Sequence, residues 1–332
     1  MMYPCKLRLM VVIVLLTLPL VAGTVFASEQ SAKPDKIILA SPFSPLAMPM
    51  AYMVRKGMLK DVAKEVDLII WNNPDQLRAI ITQGQADFVS IPSNVAAIFY
   101  NRGVKLKLLN VSVWGVFYVV SKDLSIKSLN DMKGRKILIP FRGDQPDLLF
   151  QLVCKGRRIA PFEDFDIQYV SSPLDITMNL LGGSAENGLM IEPAAEVAIK
   201  KAQEKGITLK RVIDIQKEWG EIMGTQPKFP NAGVVALPEV LKHPEVVEAF
   251  RKSYDTAVKW CTEHPEEAGK LAAEYVKGVP STAFTESLKH TIFESTSAQD
   301  SKEALIFMFS KLVEMNPSSI GGRLPDDSFY YK

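Results

Sequence analysis

The side chains that most often carry catalysis or hold metals are sparse here and awkwardly placed. The chain has 3 histidines; His243 and His264 stand directly before proline, and neither they nor His290 fall at metal-ligand spacing. No Gly-x-Ser-x-Gly elbow, Walker loop or dinucleotide fingerprint follows a strand-like run. What the sequence does offer is hydrogen-bonding and aromatic side chains just after such runs: Ser41, Phe43 and Ser44, then Ser93 and Asn94, then Phe141, Arg142 and Gly143, and finally the turn at 191–193. In an open α/β sheet, ligands lie beyond the carboxyl ends of the strands, where free N–H groups and dipoles at helix N-termini suit anions. Ser and Asn also cap helices whatever the function, so both roles are open for these four. Arg142 presents a planar fork that can hold a carboxylate or sulfonate with two bonds, or can pair with Asp144 or Asp147. Those acids would compete with an anion for the same helix dipole, which leaves room for a ligand other than a simple inorganic anion. Phe43, Trp114, Phe117 and Phe141 can stack on a flat or apolar body, or pack in a core or hinge.

The elements that must position these residues follow an α/β pattern. Short β-branched runs alternate with amphipathic stretches, which predicts a mostly parallel sheet. Strands are expected at 36–40, 66–71, 86–90 and 105–111, with helices at 47–56, 74–82 and from 94 to 102 between them. An extended run at 117–121 leads into a second series. Its strands are expected at 136–140, 166–170 and 188–191, and its helices at 146–154, 173–181 and 193–205. A strand at 209–214 precedes a Gly- and Pro-rich stretch, 220–231, read as the chain returning. From 238 to 315 the pattern is helical, broken by His243-Pro244, His264-Pro265 and Val279-Pro280. No repeat of solenoid period and no low-complexity tract is present.

Compartment and partners are bounded by composition. Lys6 and Arg8 precede an apolar run, 9–20, and then small residues around Val25-Phe26-Ala27, so residues 1–27 read as a cleaved secretory signal peptide. The run is well short of the roughly 20 residues that span a bilayer. Cys5 lies before the run and no cysteine stands immediately after it, which favours a freely diffusing periplasmic protein over a lipoprotein. The chain carries 39 Lys+Arg against 37 Asp+Glu, and loss of Lys6 and Arg8 leaves it balanced. A balanced charge argues against a nucleic-acid partner. A hydrophobic content of 47% over a mature length of about 300 residues suffices for two lobes with separate cores. Cys154 and Cys261 are expected in different lobes, where a disulfide would lock them together, so two buried thiols are expected.

Several runs, in order, carry a resemblance. They are Gly57-Met58-Leu59; Gly84-Gln85-Ala86-Asp87-Phe88 with Pro92-Ser93; Ser128-Leu129-Asn130-Asp131-Met132-Lys133-Gly134-Arg135-Lys136-Ile137; Ile191-Glu192-Pro193; and His243-Pro244-Glu245-Val246-Val247 leading to Trp260 and His264-Pro265-Glu266-Glu267-Ala268. Over most of the mature length the chain resembles the binding proteins of bacterial ABC importers for nitrate, sulfonate, taurine and bicarbonate. The resemblance implies an α/β, two-lobe type II periplasmic binding protein fold with two crossover strands. Residues 34–115 plus 235–332 would form one lobe and 120–225 the other, with hinges near 113–121 and 224–237. It implies a monomer without cofactor that captures a small anionic or flat organic solute by hinge closure and hands it to an ABC permease in the inner membrane. Glu192 resembles the group's glutamate at the cleft floor, although it could equally hold a backbone amide or a lysine crossing between lobes. The chain departs from the group's pattern at Ser184-Ala185-Glu186-Asn187-Gly188-Leu189, which bears on the geometry beside Glu192. A ligand-presenting sensor for a membrane receptor is the alternative that the same architecture serves. An enzyme resembling the thiamin-pyrimidine synthases would need a cleft histidine, and no cleft loop supplies one.

Overall fold

The computed structural model describes residues 1, 33–276 and 278–332; the expected signal peptide and its cleavage site lie outside the described residues. The chain runs β1 (Lys36–Pro42), α1 (Ala47–Lys56), β2 (Glu65–Trp71), α2 (Pro74–Thr82), β3 (Phe88–Pro92), α3 (Ser93–Asn101) and β4 (Lys107–Gly115). It continues through β5 (Phe117–Ser121), β6 (Lys136–Pro140), α4 (Gln145–Gly156), α5 (Pro161–Asp164), β7 (Asp166–Val170), α6 (Pro173–Gly182), β8 (Asn187–Ile191), α7 (Ala194–Glu204), β9 (Lys210–Asp214) and α8 (Ile215–Met223). The last part is β10 (Ala232–Ala236), α9 (Pro244–Glu263), α10 (Pro265–Tyr275), α11 (Ser281–Leu288), β11 (Ile292–Ser297) and α12 (Lys302–Met315).

Two sheets share these strands, a 6-stranded one in the order β11-β4-β10-β3-β1-β2 and a 5-stranded one in the order β7-β6-β8-β5-β9. β1 pairs in parallel with β2 and β3, and β6 pairs in parallel with β7 and β8. The strands that break the parallel pattern are informative. β5 is antiparallel to β8 and β9, and β10 is antiparallel to β3 and β4. Each of these two has just arrived from the other sheet. β4 leaves the first sheet at its carboxyl end and, one residue later, β5 enters the second; it can run against its new neighbours only if it enters at their carboxyl ends. The return through β10 repeats this in the opposite sense. The carboxyl ends of both sheets are therefore turned toward each other, which is where an α/β protein places its ligand.

The crossing is fastened by backbone approach. A Cβ on Gly115 would stand 2.2 Å from Cγ of Gln216, so only glycine lets α8 close on the crossing strand here. Gln216 is buried and its Oε1 accepts from Phe117 N at 2.8 Å. Across the return strand, Phe229 N and Asn231 N donate to the carbonyls of Trp114 and Val113.

Helices close the faces by ordinary amphipathic burial. α9 buries Val246, Val247, Phe250, Tyr254, Ala257, Val258 and Cys261, a stripe of three- and four-residue steps, and stacks Phe250 on Phe88 of the first sheet at 3.8 Å. Burying such a side chain contributes about 1.5–3 kcal/mol. α2 and α6 begin as their sequences dictate, with proline in the first turn and Asn73 or Ser172 accepting the backbone N–H of Gln76 or Asp175. Cys154 in α4 and Cys261 in α9 are buried free thiols, as expected, and burial pushes both well above the usual thiol range.

Two stretches differ from the sequence expectation. Residues 292–297 fold as a strand inside the region read as helical, pairing antiparallel with β4; Thr and Phe favour a pleated neighbour when one is offered. Residues 215–223, for which no helix was expected, form α8, capped by the Asp214 side chain accepting from Lys217 N and stopped by Gly224 at φ 64°. The atypical turn at 184–189 leaves the adjoining strand intact: the Asn187 side chain accepts from Ser121 Oγ at 2.6 Å and donates to the Lys136 carbonyl at 2.9 Å.

Candidate cleft site

A cavity of about 390 Å³ lies where the two sheets' carboxyl ends meet. The first sheet contributes Phe43 and Ser44 after β1, Trp71 at the end of β2 with Asn72 after it, and Val95 and Phe99 on α3. Phe141, Asp144 and Gln145 come from the loop after β6, Pro173 from that after β7, and Glu192 and Ala194 from that after β8. Val113, Val116, Phe117, Asn231 and Ala232 line it from the two crossings. The walls are mostly apolar, built of rings, prolines and aliphatic side chains with a smaller set of polar groups among them, as is usual for small-molecule sites.

Its polar groups are unusually situated. Glu192, 1% exposed, gives Oε1 to the Arg211 guanidinium at 2.6 and 2.7 Å. Arg211 also binds Glu196 at 2.8 Å, so one cation serves two carboxylates and Oε2 of Glu192 is left without a partner. Burial, only partly countered by Arg211, raises the Glu192 carboxyl to about 7. Asp144 is the N-cap of α4, and its side chain makes no cap hydrogen bond; burial raises its carboxyl as well, against the opposing pull of Arg78. Asp147 in the next turn accepts from Gly143 N at 2.8 Å. Two further lining residues hold buried polar atoms without partners, Trp71 at Nε1 and Asn231 at Oδ1. A buried polar atom left unpaired costs about 1–3 kcal/mol, and three of them around one cavity call for explanation. Phe141 stands at φ 57°, a left-handed backbone uncommon outside glycine and concentrated at functional loops.

Of the residues singled out in the sequence, the cavity lining takes in Phe43, Ser44, Phe141 and Glu192, and also Phe117. Ser41 is buried in β1 with its hydroxyl on the Pro42 carbonyl at 3.4 Å. Ser93 is turned to the return crossing, donating to the Pro230 carbonyl at 2.6 Å, and Asn94 donates to the Ser319 carbonyl. Trp114 is buried, with Nε1 on the Glu294 carbonyl and the Lys228 ammonium 4.9 Å from its ring centre. Arg142 is exposed and lies over the Tyr169 ring at 5.0 Å, and Gly143 is exposed at φ 78° beside it. These six lie outside the lining. Trp71 and Asn231 were missed: a strand-ending Trp and an Asn in a loop send no signal until the tertiary fold sets them round one space.

A larger cavity, about 580 Å³, runs along β9 and is lined by Tyr118, Lys127, Arg157, Arg211, Lys217 and His290 among others. Its charges are largely matched internally, Arg157 bonding both Glu218 and Glu221, and no strand ends in it at its carboxyl side except β9. Among the described residues no group of three or more His, Cys, Asp or Glu could hold a metal ion, and no helix is long and apolar enough to cross a membrane.

Comparison with known proteins places this cleft in context. The model of the family described as Menaquinone biosynthesis, VitK2_biosynth, matches residues 41–293. The putative binding protein YtlA of Bacillus subtilis (strain 168) is 22% identical over 222 residues, 65% of this chain; the match spans 63% of that protein's length. Among solved structures, an ABC transporter from Parabacteroides distasonis superposes with a TM-score of 0.75 at 21% identity, covering 90% of this chain and 99% of that one. The periplasmic aliphatic sulphonate binding protein SsuA from Escherichia coli superposes with a TM-score of 0.66 at 15% identity, covering 90% and 93%. Likenesses at this identity establish the fold, the type II periplasmic binding protein architecture that the resemblance implied.

Proposed function

The chain belongs to the family described as menaquinone biosynthesis, and from that premise together with its cleft we propose that it is an exported solute-binding protein of an ABC importer. It captures a small organic solute between the facing sheets by closing about the two crossings, and passes it to a membrane permease. The observation that supports this most is the cavity itself: loops from both sheets and both crossings contribute to a single space of about 390 Å³, so a ligand there touches both sides at once and favours their approach. The names of YtlA and SsuA, a binding protein and a sulphonate-binding protein, point the same way. Ligand contacts are assigned to Phe43, Ser44, Phe141 and Glu192 from the sequence candidates, joined by Trp71 and Asn231. Domain limits follow the crossings, one lobe around each sheet. Native mass spectrometry of protein purified without denaturation tests the reading: a retained small molecule, lost after unfolding and refolding, is expected, and transport of that molecule by vesicles bearing the cognate permease completes it. Retention of nothing, with no stabilisation by any solute in a thermal-shift screen, would refute capture.

A second reading is favoured by the family's description, an enzyme of menaquinone biosynthesis working in the same cleft. Glu192, raised to about 7 by burial, is the group able to move a proton there, with Asp144, also raised by burial, beside the same cavity. Incubating protein with the retained molecule and following its mass separates the readings, since a binding protein returns it unchanged.

A further inference from the structure

Resting on the cleft reading above, we infer that the solute is an aminated nitrogen heteroaromatic, a flat ring carrying N–H donors and a ring-nitrogen acceptor, rather than an anion. The apolar part of the argument is the lining: Phe43, Trp71, Phe99, Phe117 and Phe141 surround a space of about 390 Å³, wide enough for one or two fused rings and far larger than an inorganic oxyanion needs.

The polar part is a set of unmet bonds. Glu192 Oε2 and Asn231 Oδ1 are acceptors, Trp71 Nε1 is a donor, and each is shut from solvent without a partner in a residue that lines the cavity. Glu192 is 1% and Asn231 6% exposed. An exocyclic amine supplies donors to the two acceptors, and a ring nitrogen accepts from the indole N–H. Such a ring carries both the donors and the acceptor that these atoms lack, whereas an oxyanion carries acceptors alone and finds no donor for Asn231 Oδ1.

Charge runs against an anion too. The second sheet's helix N-termini, the natural anion seats, already face the protein's own carboxylates. Asp144 stands at the N-cap position of α4, Asp147 takes the Gly143 N–H, and Glu196 sits in the first turn of α7. The nearest buried cation to the floor, Arg211, is held by Glu192 and Glu196 together. Of the lining arginines, Arg78 is exposed and paired with Asp75 at 2.7 Å, and Arg102 is exposed at the rim.

Calorimetry on the full chain with probes of matched shape tests this: 2-aminoquinoline, quinoline-2-carboxylate and naphthalene-2-sulfonate, with taurine and nitrate as small anions. 2-Aminoquinoline is expected to bind at least tenfold tighter than any of the anions. Glu192→Gln is expected to weaken it about tenfold, on the order of 1.4 kcal/mol, and Asn231→Ala to weaken it by a smaller factor. Circular dichroism and a thermal melt identify a variant that fails to fold, in which case Asn231→Ser carries the comparison. The signs differ between ligand classes, because removing the Glu192 charge preserves or tightens the binding of an anion. A tighter anion, or 2-aminoquinoline binding that Phe117→Ala weakens but Glu192→Gln leaves unchanged, overturns the ligand class while the cleft reading stands. Binding by none of the rings also overturns it. Failure of the cleft reading has a different signature: a bound probe whose affinity is indifferent to Glu192→Gln, Asn231→Ala and Phe117→Ala alike.

Discussion

Glu192 shows how a side chain's surroundings, rather than its type, set what it can do. Its sequence context, Ile-Glu-Pro after a strand, marked the position, but nothing in that triplet reveals that Arg211 is shared with Glu196 or that one carboxylate oxygen has no partner. The folded-state carboxyl stands at about 7, above the ordinary 4.5. A raised value means that the fold prefers the protonated form, so the stability associated with this group is fully present below pH 4.5 and is lost as pH rises through 7. Gln at 192 is uncharged throughout. Chemical denaturation at pH 4.5 and pH 8 is therefore expected to show a smaller loss of stability for Glu192→Gln than for the parent; equal losses would mean that Glu192 is charged in the fold at both ends. Arg142 makes the converse point. Its flanking residues suited a ligand clamp, yet in the fold the exposed guanidinium lies on Tyr169, in a loop whose Gly143 N–H is taken by Asp147.

Among the elements, the crossing at 113–117 does the most to make a site. β4 and β5 are separated by a single residue and belong to different sheets, so small changes there are felt on both sides. Gly115 has no room for a Cβ against Gln216, and Gln216 in turn satisfies the Phe117 N–H. Gly115→Ala is expected to displace α8 or break that bond, destabilising the protein by about 1–3 kcal/mol, read as a lower denaturation midpoint with an unchanged slope. A neutral result would show that α8 yields without cost. Ser93 and Asn94, candidates for ligand contact by position, prove to tie α3 to the return crossing and to the segment near Ser319, a structural use that N-terminal Ser and Asn always have open to them.

For the whole molecule, the two strands that cross between the sheets, β5 and β10, decide the geometry: each sheet receives a strand from the other at its carboxyl end, and the cavity follows from that exchange. If closure about the crossings accompanies binding, small-angle scattering of ligand-free protein and of protein saturated with its retained solute should differ, with a smaller radius of gyration when bound. Superposable curves would confine the solute's effect to side chains. Burial of both thiols, on α4 and α9, predicts that neither links the sheets, so the comparison should be the same with and without reductant.

The strand and helix periods, the proline-marked helix starts at 74 and 173, and the order of α/β units could be read along the chain because each depends on neighbours a few residues away. The α/β class and most element positions were therefore legible before any coordinates. The edge strand at 292–297, the helix at 215–223 and the membership of the cavity were not, since each involves partners far off along the chain: β4 for the strand, Gly115 and Phe117 for the helix's Gln216, and the meeting of β2, β8 and the return crossing for Trp71, Glu192 and Asn231. Local pattern carries propensity and burial. Which polar atoms are left without partners round a common space is a property of three-dimensional packing alone.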